Sequence, residues 1–167
     1  NFNENQFISV SDSDSLTLST KKFTWIAWVN LEGMPSEWVT IFTKDAHYKE
    51  YWFAIHSSNT LDARISNDAD SNFIGRSDTA IQRGKWYHVV AIYDGIKLKY
   101  YIDGIKDKNE YSLAENKIII TNTDANLIIG ANEAGGSLRY KGQIDELMIF
   151  NRALSAQEIK QIYDSQK

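Results

Sequence analysis

Short runs of apolar and aromatic residues recur along the chain, separated by clusters of Asn, Asp, Ser and Gly. Runs of this length between turn-forming residues are typical of β-strands. Asp94-Gly95 and Asp103-Gly104 supply the positive φ angles that tight hairpin turns require. The pattern predicts about ten strands, at residues 7–10, 23–31, 38–43, 51–56, 61–66, 86–93, 98–102, 117–120, 126–130 and 143–150.

The run at residues 23–31 differs from the others because it is apolar in both alternating phases. Successive side chains of a strand point to opposite faces, so such a strand is expected to be covered on both sides. Trp25 and Trp28 of this strand are expected in the core. Trp86, at the start of another strand, is expected there as well.

One short helix is predicted at the C-terminal end. Ser155 and Glu158 have the spacing of a capping box, in which each side chain accepts from the other residue's backbone N–H. Apolar residues at helical spacing surround this box and predict that the helix packs on the rest of the fold: Leu154, Ile159, Ile162 and Tyr163.

Many strands joined by hairpins, without alternating helices, predict an all-β fold. The expected architecture is a two-sheet antiparallel jelly-roll sandwich with one short C-terminal helix. The 167 residues include one Pro and nine Gly, and no stretch has the composition of a linker. A single domain over residues 1–167 is therefore expected.

Charge and composition narrow the class of partner. The net charge is −4 and the sequence pI is near 5.4, which argues against nucleic acid or an anionic membrane surface. No apolar run approaches the roughly 18 residues of a membrane span. The chain has no Cys, which excludes disulfides and Cys-ligated metals. Its first residues lack Met and a signal-peptide pattern, so an excised or processed domain is expected.

Four segments resemble a known family. KGQIDELMIFNRALSAQEI at residues 141–159 resembles the closing signature of laminin-G-like jelly-roll domains of the concanavalin A-like lectin/glucanase superfamily. FTWIAWV at 23–29, GKWYHVVAIYDG at 84–95 and LKYYIDG at 98–104 match further segments in order. The resemblance implies a concanavalin A-like jelly roll in an extracellular setting. Members include carbohydrate-binding modules of secreted glycosidases and adhesion modules, often with one bound calcium.

The residues do not predict catalysis. Glycoside hydrolysis needs two carboxylates across the sugar, and glucanases on this fold carry a Glu-x-Asp-x-Glu pattern that is absent here. Asp145 and Glu146 are adjacent, so on a strand they face opposite ways. His47, His56 and His88 lack the spacing of zinc ligands.

Asp145 is the candidate metal ligand. It appears in phase with Leu147 and Ile149, the expected inward positions, and an inward carboxylate needs a partner. A structural calcium would satisfy it, and the resemblance implies Asn3 as a second oxygen ligand, although the family often has Asp there. In the alternative, Asp145 ends the strand and accepts turn N–H groups. The acidic segments 11–14 and 67–70 are expected to be solvated turns.

Aromatic and polar side chains supply a candidate sugar site. A pyranose stacks its C–H faces on Trp or Tyr, and polar groups bond its hydroxyls. Trp38 follows a loop, and the strand alternation points Trp52 away from the core. The ligand-binding candidates are Trp38, Tyr48, Trp52, Arg64 and Tyr101, with Asp62 and His47 as further polar candidates.

These observations predict a non-catalytic carbohydrate-binding module of a larger secreted protein. Its partners are expected to be a glycan or polysaccharide and other domains of the same polypeptide, with calcium stabilising the fold. One alternative is a cell-adhesion or structural spacer module that binds protein. Another is an atypical glycosidase, which two carboxylates facing each other across a cleft would favour.

Overall fold

In the computed structural model, the chain forms two β-sheets and a C-terminal helix. The structure describes residues 1–3, 6–18, 20–33, 37–45, 50–65, 73–112, 123–133 and 137–167. The elements are β1 Ile8–Val10, β2 Phe23–Gly33, β3 Trp38–Lys44, β4 Tyr51–His56, β5 Thr60–Ile65, β6 Phe73–Ala80, β7 Trp86–Tyr93, β8 Lys97–Ile102, β9 Ile105–Ser112, β10 Leu127–Ile129, β11 Lys141–Phe150 and α1 Ala156–Gln166.

The described strands divide into a six-stranded and a five-stranded sheet. The orders are β1-β10-β3-β4-β5-β6 and β11-β2-β7-β8-β9, and the neighbours pair antiparallel. The predicted jelly-roll sandwich with one terminal helix is confirmed. The sequence pattern did not predict β6 or β9. The predicted strand 117–120 lies outside the described residues.

Aromatic side chains fill the space between the sheets. The Trp25 ring stacks on Phe23 with 3.9 Å between centroids and meets Phe42 of the opposite sheet edge-on at 5.5 Å. Trp25 is fully buried, as predicted. Trp86 is not in this core: it is 37% exposed, because it is the first residue of β7, where the sheet ends.

The outer face of the five-stranded sheet is covered by α1. Ser155 and Glu158 form the predicted capping box, and Ile159 is fully buried. Ile159 and Leu154 belong to a second apolar cluster with residues of β2, β7 and β8: Ile26, Val90, Ile92 and Tyr101. The two-sided burial of β2 predicted from its sequence follows from this arrangement, because its opposite face lines the inter-sheet core.

Strand β11 is bulged at two points, and the bulges set the direction of its side chains. The first lies at Lys141/Gly142. Gly142 has φ +137°, and a Cβ there would lie 2.0 Å from the Asn30 carbonyl oxygen, so glycine is required. The second spans Asp145 to Met148 and contains Glu146 at φ +47°. An extra residue in a strand changes the face that preceding side chains occupy.

Candidate functional site

A polar and aromatic cluster lies on the outer face of the six-stranded sheet. Alternation along β4 sends Tyr51, Phe53 and Ile55 into the core and leaves Trp52 on the outer face. Antiparallel pairing places Arg64 of β5 opposite Trp52. The same pairing aligns residues of β3, β4, β5 and β6 in the neighbouring row: Thr40, Ala54, Asp62 and Arg76.

Two guanidinium groups pack on the tryptophans of this face. The Arg64 Cζ lies 4.5 Å from the Trp52 ring centroid and 5.1 Å from that of Trp38. The Arg76 Cζ lies 5.7 Å from the Trp38 centroid. A guanidinium at these distances is attracted by the negative face of an indole. The indoles therefore help to hold both cations in place.

Asp62 anchors the cluster from below. Its carboxylate is fully buried, and its Oδ2 accepts from Trp38 Nε1 at 2.9 Å and from Arg76 Nε at 3.1 Å. Arg64 donates weakly to both oxygens at 3.5 Å. The small side chain of Ala54 on the adjacent strand leaves room for this convergence. One buried carboxylate thus orients one indole and two guanidinium groups.

His56 borders the other side of Trp38. The two rings meet edge-on with 5.0 Å between centroids, and His56 Nδ1 lies 2.8 Å from Ser58 Oγ. Burial lowers the pKa of His56 below its usual value, and the Arg76 charge lowers it further. The imidazole is therefore neutral at pH 7, where it acts as a polar uncharged group beside the indole.

The structure brings together three of the five ligand-binding candidates: Trp38, Trp52 and Arg64. Trp38 is half-buried and keeps part of its surface in solvent. Trp52 is 0% exposed, because Arg64 packs over it, and its Nε1 donates to Thr40 Oγ1 at 2.8 Å. The expected role of Trp52 as a stacking platform is therefore wrong in this structure; its ring supports Arg64 instead.

The other two candidates lie elsewhere. Tyr101 does point away from the inter-sheet core, but it belongs to β8 of the five-stranded sheet. It is 7% exposed because the cluster around Ile159 of α1 packs over it, which leaves no ring face for a ligand. Tyr48 and His47 lie outside the described residues.

Two residues of the cluster were not found by sequence reasoning. Arg76 lies on β6, a strand whose sequence lacks a clear apolar alternation, so its direction was not predicted. His56 was considered only as a zinc ligand. The signal that would have found both is the pairing of β4, β5 and β6, which aligns their outward positions with Asp62.

Asn3 and Asp145 do not fit together as a calcium pair. The bulge in β11 makes Ile144 and Leu147 pack on the inter-sheet core and leaves Asp145 exposed, so the inward phase predicted for Asp145 is wrong. Its Oδ1 accepts from the Glu146 N–H at 2.9 Å. Asp145 and Asn3 line two different depressions, Asp145 beside the C-terminal end of α1 and Asn3 beside Glu32.

Two searches of the described residues bear on metals and membranes. Within those ranges, no group of three or more His, Cys, Asp or Glu side chains has the geometry of a metal site. None of the helical structure described there is long and apolar enough to cross a membrane.

The match to a family model decides the assignment. The model described as the concanavalin A-like lectin/glucanases superfamily (Laminin_G_3) matches residues 2–160. The chain belongs to this superfamily. No curated protein matches the chain. The resemblance inferred from the four segments is thus confirmed.

Solved structures with this fold include proteins of different settings. Domain 4 of an extracellular arabinanase from Geobacillus stearothermophilus, in complex with arabinotriose, is 23% identical with a TM-score of 0.63, covering 86% of this chain and 66% of that one. The botulinum neurotoxin serotype G binding domain is 17% identical with a TM-score of 0.74, covering 99% and 42%. A heptameric SAP-like pentraxin from Limulus polyphemus is 18% identical with a TM-score of 0.63, covering 86% and 70%.

These likenesses show the fold alone, since all three identities are below 25%. The chain also spans less than half of the botulinum binding domain. Fold does not determine function in such a family, so function has to be argued from the cluster around Trp38.

Proposed function

We propose that this domain is a non-catalytic carbohydrate-binding module of a larger secreted protein, and that it holds its glycan on the outer face of the six-stranded sheet. The observation that carries the proposal is the half-buried indole of Trp38, surrounded by Arg64, Arg76 and His56. An indole face with polar groups at its edge matches a sugar, which is apolar on its C–H face and polar at its rim.

Preorganisation strengthens the proposal. The Trp38 Nε1–H is fixed by the buried Asp62 carboxylate, and the two guanidinium groups are fixed by the same carboxylate and by the indoles. A ligand would therefore meet groups that are already oriented, which lowers the entropy lost on binding. Trp38 would stack on the sugar ring while guanidinium N–H groups donate to sugar oxygens.

A binding role is favoured over hydrolysis by the state of the carboxylates. Among the described residues of the cluster, Asp62 is the one carboxylate within hydrogen-bond reach of Trp38, and it is fully buried with its oxygens engaged. Retaining and inverting glycosidases both need two carboxyl groups that reach the glycosidic bond. The superfamily and the arabinotriose complex of a domain with the same fold are consistent with sugar binding.

The experiment is a glycan-array screen of the wild-type protein and two tryptophan variants. Trp38→Ala should lose the hits of the wild type, whereas Trp86→Ala, which removes an exposed indole of the other sheet, should keep them. Thermal melting of both variants checks that they remain folded. Hits that survive Trp38→Ala, or are lost equally in Trp86→Ala, would contradict the proposed site.

The adhesion alternative has one observation in its favour. Ile8 and Val10 of the edge strand β1 are 51% and 39% exposed, and an apolar edge strand can pair with another chain. Absence of every glycan hit, together with pull-down of a protein that Ile8→Lys abolishes, would favour this alternative over the sugar-binding proposal.

A further inference from the structure

The outer face of the six-stranded sheet has an unbalanced set of charges close to Trp38. Arg64 and Arg76 both contact the Trp38 ring, and both pair with the same carboxylate, Asp62. Two guanidinium charges thus share one buried counter-charge. The formal net charge of the whole chain is −4, so this local excess of positive charge runs against the charge of the whole chain.

The hydrogen-bonding capacity of the cluster is equally one-sided. A guanidinium has five N–H donors and no acceptor. The carboxylate that would normally accept from sugar hydroxyls is fully buried, and Trp38, Arg64 and Arg76 occupy its oxygens. Donors near Trp38 therefore exceed the acceptors available to a ligand. A ligand group that only accepts hydrogen bonds fits such a surface better than a hydroxyl, which also needs an acceptor.

Arg76 is the residue placed to meet that group. Its Nε donates to Asp62 Oδ2 at 3.1 Å, which directs one edge of the guanidinium into the protein. Its side chain is 38% exposed, compared with 11% for Arg64. The terminal nitrogens of an arginine form a planar fork whose spacing matches the two oxygens of a carboxylate.

We propose that the glycan bound on this face is acidic, and that a carboxylate of the sugar beside Trp38 pairs with the guanidinium fork of Arg76. This inference rests on the proposed glycan-binding function and specifies its ligand class. Two kinds of glycan carry such a group: uronic acids within a polysaccharide and sialic acids at a chain end. Both present the same acceptor-only anion next to a pyranose ring.

The test compares matched acidic and neutral ligands on the wild-type protein. One pair is an oligogalacturonate and its methyl ester, which differ only in charge at the sugar carboxyl. The other pair is sialyllactose and lactose. Titration calorimetry at low ionic strength should give at least about tenfold tighter binding of one acidic ligand than of its neutral partner, and the pair that binds identifies the source of the carboxylate.

Substitutions then locate the effect. Arg76→Gln should remove the preference for the acidic ligand, and Arg76→Lys should restore part of it, because Lys keeps the charge but lacks the fork. Arg83→Gln is the matched control: it makes the same charge change at an exposed arginine in the turn before β7 and should keep the full preference. The ligand pairs need no substitution, so they remain decisive if Arg76→Gln fails to fold.

The failures are distinguishable. Equal binding of the acidic and neutral members, lost in Trp38→Ala, would overturn the carboxylate assignment and leave the sugar-binding function intact. An acidic preference that Arg76→Gln and Arg83→Gln weaken equally would reveal general charge attraction and also overturn it. Absence of binding to any acidic or neutral glycan on the array would overturn both the inference and the proposed function.

Discussion

The two outer faces of the sandwich both carry tryptophan side chains, but different groups cover them. On the five-stranded sheet, Trp28 packs against Tyr163 of α1 with 5.8 Å between centroids and against His88 at 5.6 Å. On the six-stranded sheet, Trp52 is covered by the guanidinium of Arg64. The first cover is a helix with apolar contacts, and the second is a charged group.

This difference separates a structural face from a candidate binding face. Beneath α1 the environment excludes water, and burial lowers the pKa of His88 to about 4, so the histidine is neutral at pH 7. Around Trp38 the arginines keep their charge near the surface because Asp62 and the indole faces stabilise it. A helix-covered face contributes mainly to stability, whereas a charged and partly open face can also recognise a ligand.

The largest effect should come from truncating the buried indole beneath Arg64. Trp52→Ala removes a fully buried ring together with the hydrogen bond to Thr40. The free energy of unfolding should fall by about 3–5 kcal/mol, measured by urea denaturation. An almost unchanged stability combined with lost sugar binding would instead identify Trp52 as an accessible platform and contradict its position under Arg64.

Loss of the helix contact should be the next largest effect. Ile159→Ala removes the fully buried side chain of α1 from its cluster with Ile26 and Val90. A loss of about 2–4 kcal/mol in the free energy of unfolding is expected, with glycan binding unchanged in the folded protein. If this substitution abolishes binding while the protein stays folded, the two faces are coupled and the separation drawn above is wrong.

His88 should make the helix-covered face sensitive to acid. Its pKa is about 4 in the folded protein against an ordinary value of 6.5, so between these values the unfolded chain binds more protons. Stability is therefore complete above about pH 6.5 and falls as the pH drops towards 4, by up to about 3 kcal/mol. His88→Leu should reduce this pH dependence in denaturation curves, and an NMR titration of His88 with a midpoint near 6.5 would contradict it.

The smallest difference is expected for Asp145 and metal chelation. Asp145 and Asn3 line separate depressions, so Asp145→Ala should not alter the response to a chelator. Any shift of the melting temperature in EDTA should be the same in wild type and variant. A shift seen in the wild type and abolished in Asp145→Ala would restore the calcium site expected at this residue.

Much of the fold could be predicted because its signals are local. The alternating runs, the Asp-Gly turns and the capping box of Ser155 and Glu158 each depend on neighbouring residues. Strand β9 was missed because its residues 105–112 are largely polar, as befits an edge strand whose outer positions face solvent. The direction of Asp145 was missed because a bulge in β11 shifts the phase by one residue, which alternation alone does not reveal.

The candidate site was predicted only in part, because it depends on pairing between distant strands. Alternation placed Trp52, Asp62 and Arg64 outward, and Trp38 was expected near them. Sequence could not show that Arg64 covers Trp52, that Arg76 joins from β6, or that α1 covers Tyr101. Each of these facts arises from register and docking, which short patterns do not encode.

The most direct test of the central claim follows the indole N–H signals of the five tryptophans by NMR while a glycan from the array is added. The account predicts that the Trp38 signal shifts most, since its ring borders the site and its Nε1 bonds Asp62, and that the Trp52 signal shifts with it. Trp28 and Trp86, on the other sheet, should stay unchanged. Saturable shifts of Trp28 or Trp86 with Trp38 unchanged would place the ligand on the opposite side of the sandwich and contradict the account.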